Sequence, residues 1–218
     1  MEHLNDTLKY LTPEESRILL RQFYTGAYEL DEYKTSGAVY VWKYIYEKGF
    51  IFDRAIDVGC GSGYGLQMSQ LVDKVTFGID IAKGASKEWH KKKIAHRCAV
   101  SDILNMPFKD GTFDFVVCND VLEHIPEFDT DAALQEIRRI GSDKYFLAIA
   151  TAEECYPALG MIHAHITVKP DEWWREKVKK NHFDIAIDIH AEGIVSHFCV
   201  LAVKDRMPYI KKEKRFMA

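Results

Sequence analysis

Residues 55–65 read Ala55-Ile56-Asp57-Val58-Gly59-Cys60-Gly61-Ser62-Gly63-Tyr64-Gly65. A short apolar strand runs into alternating glycines, and residues 66–71 that follow read as helix. A strand-to-helix turn this rich in glycine lets a ligand approach the backbone closely, at the positive end of a helix. The register of the glycines excludes two familiar uses. The dinucleotide pattern needs a third glycine three positions after the second. Counted from Gly59 and Gly61 that position is Tyr64, and from Gly61 and Gly63 it is Leu66. No Gly-Lys-Ser/Thr follows, which excludes a P-loop.

Charge narrows the ligand further. Asp57 closes the strand just before the loop, and a carboxylate there repels a pyrophosphate. It suits a cofactor that carries an ammonium and a sulfonium and no phosphate, as S-adenosylmethionine does. A second strand, residues 74–79, ends at Asp80 in Phe77-Gly78-Ile79-Asp80. An acid about 20 residues beyond such a loop bonds ribose hydroxyls in Rossmann-like sheets. A lone acid at a strand end is usually only solvated. The ordered series strand, glycine turn, helix, strand, acid is far more specific.

Outward from this stretch, strands and helices alternate, as in a parallel α/β sheet. Further strands are expected over 95–100 (the weakest), 113–118, 145–150, 183–189 and 197–203. Residues 132–140 form the clearest helix, with Ala133, Ile137 and Ile140 on one face, Asp131 as its N-cap and Gly141 as its stop. Pro170-Asp171-Glu172 opens another, with Trp174 and Val178 one turn apart. Before the sheet, Ile18, Leu19 and Phe23, then Val39, Trp42 and Tyr46, recur at helical spacing.

The 218 residues are 47% hydrophobic, enough for one substantial core. With 29 basic and 33 acidic residues the net charge is −4, which argues against a dedicated nucleic-acid or membrane-surface binder. The cysteines, Cys60, Cys98, Cys118, Cys155 and Cys199, form no C-x-x-C pair and are odd in number, so neither a disulfide framework nor a zinc site is expected. The polar, acidic N-terminus does not read as a signal peptide, and no run approaches the ~20 apolar residues of a membrane span. A cytoplasmic location is expected.

The segments AIDVGCGSGYG, FGIDIA and SDILNMPFKDGTFDFVVCNDVLEHI, in this order over residues 55–150, resemble the class I S-adenosylmethionine-dependent methyltransferases, in their small-molecule branch. The resemblance implies a Rossmann-like, seven-stranded, mostly parallel α/β sheet with helices on both faces. The last strand, residues 197–203, would run antiparallel beside 183–189, and an N-terminal helical segment would fold over the cofactor as a lid. It implies one domain over 1–218, with the lid at 1–50, the core at 51–204 and a basic tail at 205–218.

It implies S-adenosylmethionine as cofactor and S-adenosylhomocysteine as product. Asp57, Gly59, Cys60 and Gly61 would hold the methionine part. Asp80 would bind the ribose, Ile81 would cover an adenine face, and Asp102 would accept from the adenine amino group with Ile103 beside it. Asn119 would line the amino acid end. Simpler readings stand beside these: Asp102 as a turn cap, Asn119 as a loop former, Ile81 as core.

Methyl transfer to an alcohol needs a base, and bases belong near the carboxyl ends of the strands. Two groups qualify: Asp120, Glu123 and His124 after the fourth strand, and His163 and His165 after the fifth. The expected catalytic residues are His163, His165, His124 and Asp120. His124 also has a structural reading, since relatives share its Leu-Glu-His stretch. His163-Ala164-His165 with Glu153, Glu154 or Asp120 has the residue types of a metal site, but spacing alone does not make one, and no metal is expected.

The 163–174 stretch, with His-x-His, Pro170 and Trp173-Trp174, resembles tails of methyltransferases from sugar and glycan pathways. That implies a saccharide-like small-molecule acceptor. An N-methyltransferase on a small amine, an RNA or protein methyltransferase, a non-catalytic cofactor-binding subunit and a nicotinamide oxidoreductase are the alternatives. No membrane or nucleic-acid partner is expected, and homo-oligomerisation is left open. Tyr24, Tyr28, Tyr33 and Tyr40 are candidates to line the site from the lid. The basic residues between Lys204 and Arg215, and Lys91-Lys92-Lys93, read as solvated charge.

Overall fold

A computed structural model describes residues 7–28, 38–71, 75–152, 155–156, 162–189 and 197–204. The side chains of residues 38, 70, 71, 155, 156, 162, 163 and 197 lie outside that description. So do Tyr33, Glu153, Glu154 and the basic residues beyond Lys204.

Ahead of the sheet the described residues include the helices α1 (Pro13–Ala27) and α2 (Ala38–Glu47). They are followed by β1 (Arg54–Val58), α3 (Tyr64–Leu71), β2 (Val75–Asp80), α4 (Ala85–Lys91), β3 (Cys98–Val100) and β4 (Phe113–Asn119). Then come α5 (Thr130–Ile140), β5 (Gly141–Ala150), the short strands β6 (Cys155–Tyr156) and β7 (Ile162–His163), α6 (Asp171–Lys180), β8 (Asp184–Asp188) and β9 (His197–Val203). The main sheet has seven strands in the order β3-β2-β1-β4-β5-β9-β8. Its first five strands pair in parallel, and β9 is antiparallel to both neighbours. The expected Rossmann-like sheet with an antiparallel last strand is the architecture observed.

Side-chain alternation explains why both faces are covered. Successive strand residues point to opposite faces, and a central parallel strand must be apolar on each. Ile56, Val116, Cys118, Leu147 and Val200 fall in one cluster, which α5 and α6 complete with Ala133, Leu134, Ile137, Trp174 and Val178. Their strand neighbours Ala55, Phe115, Val117, Phe146 and Leu201 fall in the opposite cluster, completed by Val41, Trp42 and Ile45 of α2. The five parallel strands therefore end on one edge, and the β1 and β4 ends lie side by side, at the reversal point where open α/β sheets bind ligands.

Several expectations change. The third strand is only Cys98–Val100, because residues 95–97 form a single 3₁₀ turn. Helix α5 begins at Thr130, so Asp131 lies inside it and Asp129 is the N-cap. Asp129 makes no cap bond. It receives Nε and Nη2 of Arg17, at 2.9 and 2.6 Å, and so ties α1 to the core. On α1 the buried stripe is Ser16, Leu20, Tyr24 and Ala27, while Ile18 is half exposed at 50%. The helix rotates so that its tyrosine face meets the strand ends, which puts the Ile18 direction in water. Lys92 is not a solvated helix end: its Nζ donates to the Ser62 carbonyl at 2.9 Å and lies 3.9 Å from the centroid of the Tyr64 ring.

Candidate active site

The glycine loop is held shut by its own backbone. The N–H groups of Gly59 and Cys60 both donate to the Ile79 carbonyl at 2.8 Å, and that of Gly63 to the Cys60 carbonyl at 2.8 Å. Gly59, Gly61 and Gly63 all have positive φ, a conformation that costs other residues energy. Gly59 also has no room for a side chain, since a Cβ there would lie 2.1 Å from Cγ2 of Val121. Cys60 is buried beneath the loop.

The predicted acids converge on this turn. Asp80 accepts the Gly61 N–H at 2.9 Å through Oδ2 and the Ala82 N–H at 2.8 Å through Oδ1. Burial pushes its carboxyl up to about 6, opposed by these bonds and by one from Tyr28. Asp57, buried at the end of β1, accepts Nε1–H of Trp42 at 2.9 Å. Burial is again the main cause that raises it, to about 7, with Asp80 adding repulsion. Asp102 follows β3 and accepts the Leu104 N–H at 2.9 Å, so the turn-cap reading holds. Its other oxygen pairs with Arg21 of α1 at 3.1 Å. Ile81 is half-buried against the cluster beneath α1, whereas Ile103 is buried in the main core.

Helix α1 lies over these groups, with Arg21 on Asp102 and Tyr28 on Asp80. The Tyr28 hydroxyl sits 2.7 Å from where a Cβ of Gly61 would be. Of the lid tyrosines, Tyr24 and Tyr28 face the site, and Tyr40 is 54% exposed.

A second group lies beyond β4. Asn119 is buried, and its Nδ2 donates to Oδ2 of Asp120 at 2.9 Å. Asp120 has φ +52°, a left-handed conformation unusual for a non-glycine residue. The turn carries Glu123 and His124 into contact with the segment after β7. Glu123 is fully buried. Its Oε1 accepts the Ala150 N–H at 2.8 Å, and its backbone carbonyl accepts the N–H groups of Ile166 and Thr167, both at 2.9 Å. Its Oε2 has no hydrogen-bond partner among the described residues. Burial first, and then nearby Asp120, pushes this carboxyl up to about 8.

His124 Nδ1 is 2.9 Å from the Tyr24 hydroxyl and 3.0 Å from the Ala164 carbonyl. His165 is buried, with Nδ1 2.6 Å from the Ala152 carbonyl. The two imidazoles meet edge to face at 4.9 Å between centroids. One ligand-capable atom from each of Glu123, His124 and His165 lies within 4.8 Å of the other two. The structure thus joins the two candidate base groups through Glu123, His124 and His165. His163 lies in β7 with its side chain outside the described residues. Of the tryptophan pair, Trp174 is fully buried in the core, and Trp173 stands under the ammonium groups of Lys169 and Lys177.

Three carboxyl groups at strand ends beside a glycine turn suit a cationic, phosphate-free ligand, by charge and by hydrogen-bond type. Residues 56–149 match the family model described as a methyltransferase domain. An uncharacterized protein of Methanocaldococcus jannaschii is 33% identical over 120 residues, which are 52% of this chain and 51% of the relative. The mitochondrial arginine-hydroxylase NDUFAF5 of Homo sapiens is 36% identical over 93 residues, 41% of this chain and 26% of that protein. The chain thus spans about half, or less, of the length of these curated relatives. The structure of the Burkholderia thailandensis 1,6-didemethyltoxoflavin-N1-methyltransferase, solved with bound 1,6-didemethyltoxoflavin and S-adenosylhomocysteine, superposes with a TM-score of 0.69 at 13% identity, covering 90% of this chain and 92% of that one. At that identity the likeness concerns the fold. No described helix is long and apolar enough to cross a membrane.

Proposed function

We propose, from the match of residues 56–149 to a methyltransferase domain and the class I, Rossmann-like fold, that the chain transfers a methyl group from S-adenosylmethionine to a hydroxyl of a small polar acceptor. The observation that carries the cofactor half is the set Asp57, Asp80 and Asp102 around the Gly59–Gly61 turn. S-adenosylmethionine, when bound, supplies a methyl group on a positive sulfur, open to in-line displacement. Asp57, Gly59, Cys60, Gly61 and Asn119 would hold its amino acid end, Asp80 the ribose, and Ile81, Asp102 and Ile103 the adenine. For Asp80 and Asp102 to bond the cofactor, Tyr28 and Arg21 give up their present contacts. Within the expected 1–50 lid, α1 is then the part that acts as a lid, whereas α2 packs into the core with the sheet of 51–204.

The acceptor side is the group formed by Asp120, Glu123, His124 and His165. Methyl transfer to an oxygen would release the hydroxyl proton of the acceptor, and this group is where the chain would deal with it. The hydroxyl proton must leave, and these residues are placed to assist it: His124 and His165 by their imidazoles, Asp120 by its carboxylate. Orientation and exclusion of water supply much of the rest, which the buried Glu123 and the overlying Tyr24 favour. A sugar or sugar-linked metabolite is the first acceptor class to test, on the likeness of the 163–174 stretch. His163, in β7 beside this segment, stays a candidate base.

The test is a thermal-shift titration with S-adenosylmethionine, S-adenosylhomocysteine and NAD, on wild type and Asp80→Ala. Ligand at 100 times its Kd stabilises a fold by about 2.7 kcal/mol. Stabilisation by the two sulfur ligands alone, lost in the variant, is expected. Stabilisation by NAD alone, or by none of the three, overturns the cofactor reading. Hydroxylation, the activity named for the human relative, is separated by product mass, which rises by one oxygen rather than one CH₂.

A further inference from the structure

We propose that Glu123, His124 and His165 form a binding site for a divalent transition-metal ion. Their ligand-capable atoms lie within 4.8 Å of one another, close enough to converge on one ion after small side-chain adjustments. They come from two separate segments, the turn after β4 and the chain after β7. The Ile166 and Thr167 N–H bonds to the Glu123 carbonyl hold those segments together. The scaffold is therefore fixed by backbone bonds that do not use the ligand atoms.

Two further features point to an ion. First, both histidines are set in the tautomer that a metal needs. His165 Nδ1 faces the Ala152 carbonyl at 2.6 Å, and His124 Nδ1 faces the Ala164 carbonyl at 3.0 Å. A carbonyl only accepts, so each Nδ1 carries the proton and each Nε2 carries the lone pair. The Tyr24 hydroxyl donates its own proton to the Ala164 carbonyl and so presents an oxygen to His124 Nδ1, in agreement. A backbone carbonyl on one ring nitrogen, fixing the other as ligand, is the usual outer shell of a metal-bound histidine. Second, Glu123 Oε2 is buried with no hydrogen-bond partner among the described residues, although its sister oxygen is bonded. A buried carboxyl oxygen left unsatisfied is costly, and a cation at that point satisfies it.

The ligand types choose the ion. Two imidazoles and one carboxylate suit zinc, manganese, iron, cobalt or nickel, whereas magnesium and calcium prefer all-oxygen sets. Three protein ligands leave room for a further one, the mark of a catalytic rather than a structural site. On the reading that the acceptor is a hydroxyl compound, which this role rests on, the ion would take the acceptor oxygen as a ligand and lower its pKa. His124 and His165 would then hold the ion rather than act as bases themselves.

The test uses untagged, chelator-treated full-length protein titrated with Co²⁺, whose visible ligand-field spectrum reports nitrogen ligands, and with Zn²⁺, Mn²⁺ and Mg²⁺ by calorimetry. We expect one equivalent of Co²⁺ to bind with an absorption band characteristic of nitrogen and oxygen ligands, and Mg²⁺ to bind far more weakly. His124→Ala, His165→Ala and Glu123→Gln should each weaken Co²⁺ by at least about tenfold, the scale on which even outer-shell changes act. Stabilisation by S-adenosylhomocysteine, measured in parallel, shows that each variant is folded. If Glu123→Gln does not fold, the two histidine variants decide the matter. A wild-type protein without the band, or one bound equally well by the histidine variants, overturns the site. Loss of S-adenosylhomocysteine binding by the wild type would instead overturn the methyltransferase reading, so the two failures are distinct.

Discussion

The indole N–H of Trp42 donates to the Asp57 carboxyl across 2.9 Å, with both residues shut away from water. This bond ties α2 to the end of β1, next to the glycine turn. It satisfies a buried carboxyl oxygen and leaves a group whose charge state is set by its surroundings.

The first prediction concerns pH. Burial raises Asp57 from 3.8 to about 7 and Asp80 from 3.8 to about 6. The folded chain therefore holds protons that the unfolded chain has released. The stability these groups contribute is fully present below about pH 4 and is lost as pH rises through 6 and 7. A cationic ligand needs the ionised forms, so its binding should expel protons and tighten between about pH 5 and pH 8. Calorimetry of S-adenosylmethionine binding at pH 6, in buffers of different ionisation enthalpy, should report proton release. Proton uptake would contradict it.

The second concerns Gly65, where an added Cβ would lie 2.0 Å from Nε1 of Trp42. Alanine normally favours a helix over glycine by about 1 kcal/mol. Displacing a buried indole costs about 1–3 kcal/mol and here also breaks the Trp42–Asp57 bond. The clash should win. Gly65→Ala should lower the urea midpoint, and an unchanged or higher midpoint would show that the indole can move freely.

The third concerns Tyr24, whose hydroxyl bonds both the Ala164 carbonyl and His124. Tyr24→Phe should cost about 1 kcal/mol of stability. Because Tyr24 touches the histidine cluster, turnover should fall, with cofactor Kd changing less than twofold. A large rise in cofactor Kd with turnover intact would place Tyr24 at the other end of the site.

The fourth concerns the Arg17–Asp129 pair, which anchors α1. Arg17 is 37% exposed, so solvent screens the pair and its net worth is about 1 kcal/mol. Asp129→Ala should shift the melting temperature little while speeding hydrogen exchange selectively in α1. Uniform acceleration across the sheet would mean that Asp129 supports the core instead.

What the sequence determined by itself was local. The strand, glycine turn, helix and acid from Asp57 to Asp80 announced themselves, because each step depends on neighbours a few residues apart. Apolar runs such as 113–118 and 145–150 are confined to strands by their two-faced burial, so the sheet was legible. The rotation of α1 was not, since Leu20 and Tyr24 are buried and Ile18 exposed only because of what lies beneath. Lys92 reads as surface charge until the glycine loop arrives beside it. The acceptor side shows the division most clearly. Asp120, Glu123, His124 and His165 were all visible as residue types after strands. That Glu123 is buried next to two histidines, rather than standing beside His124 in solvent, depends on where the chain returns after β7. That return is fixed by backbone bonds to the Glu123 carbonyl, contacts between segments far apart in sequence that leave no periodic trace.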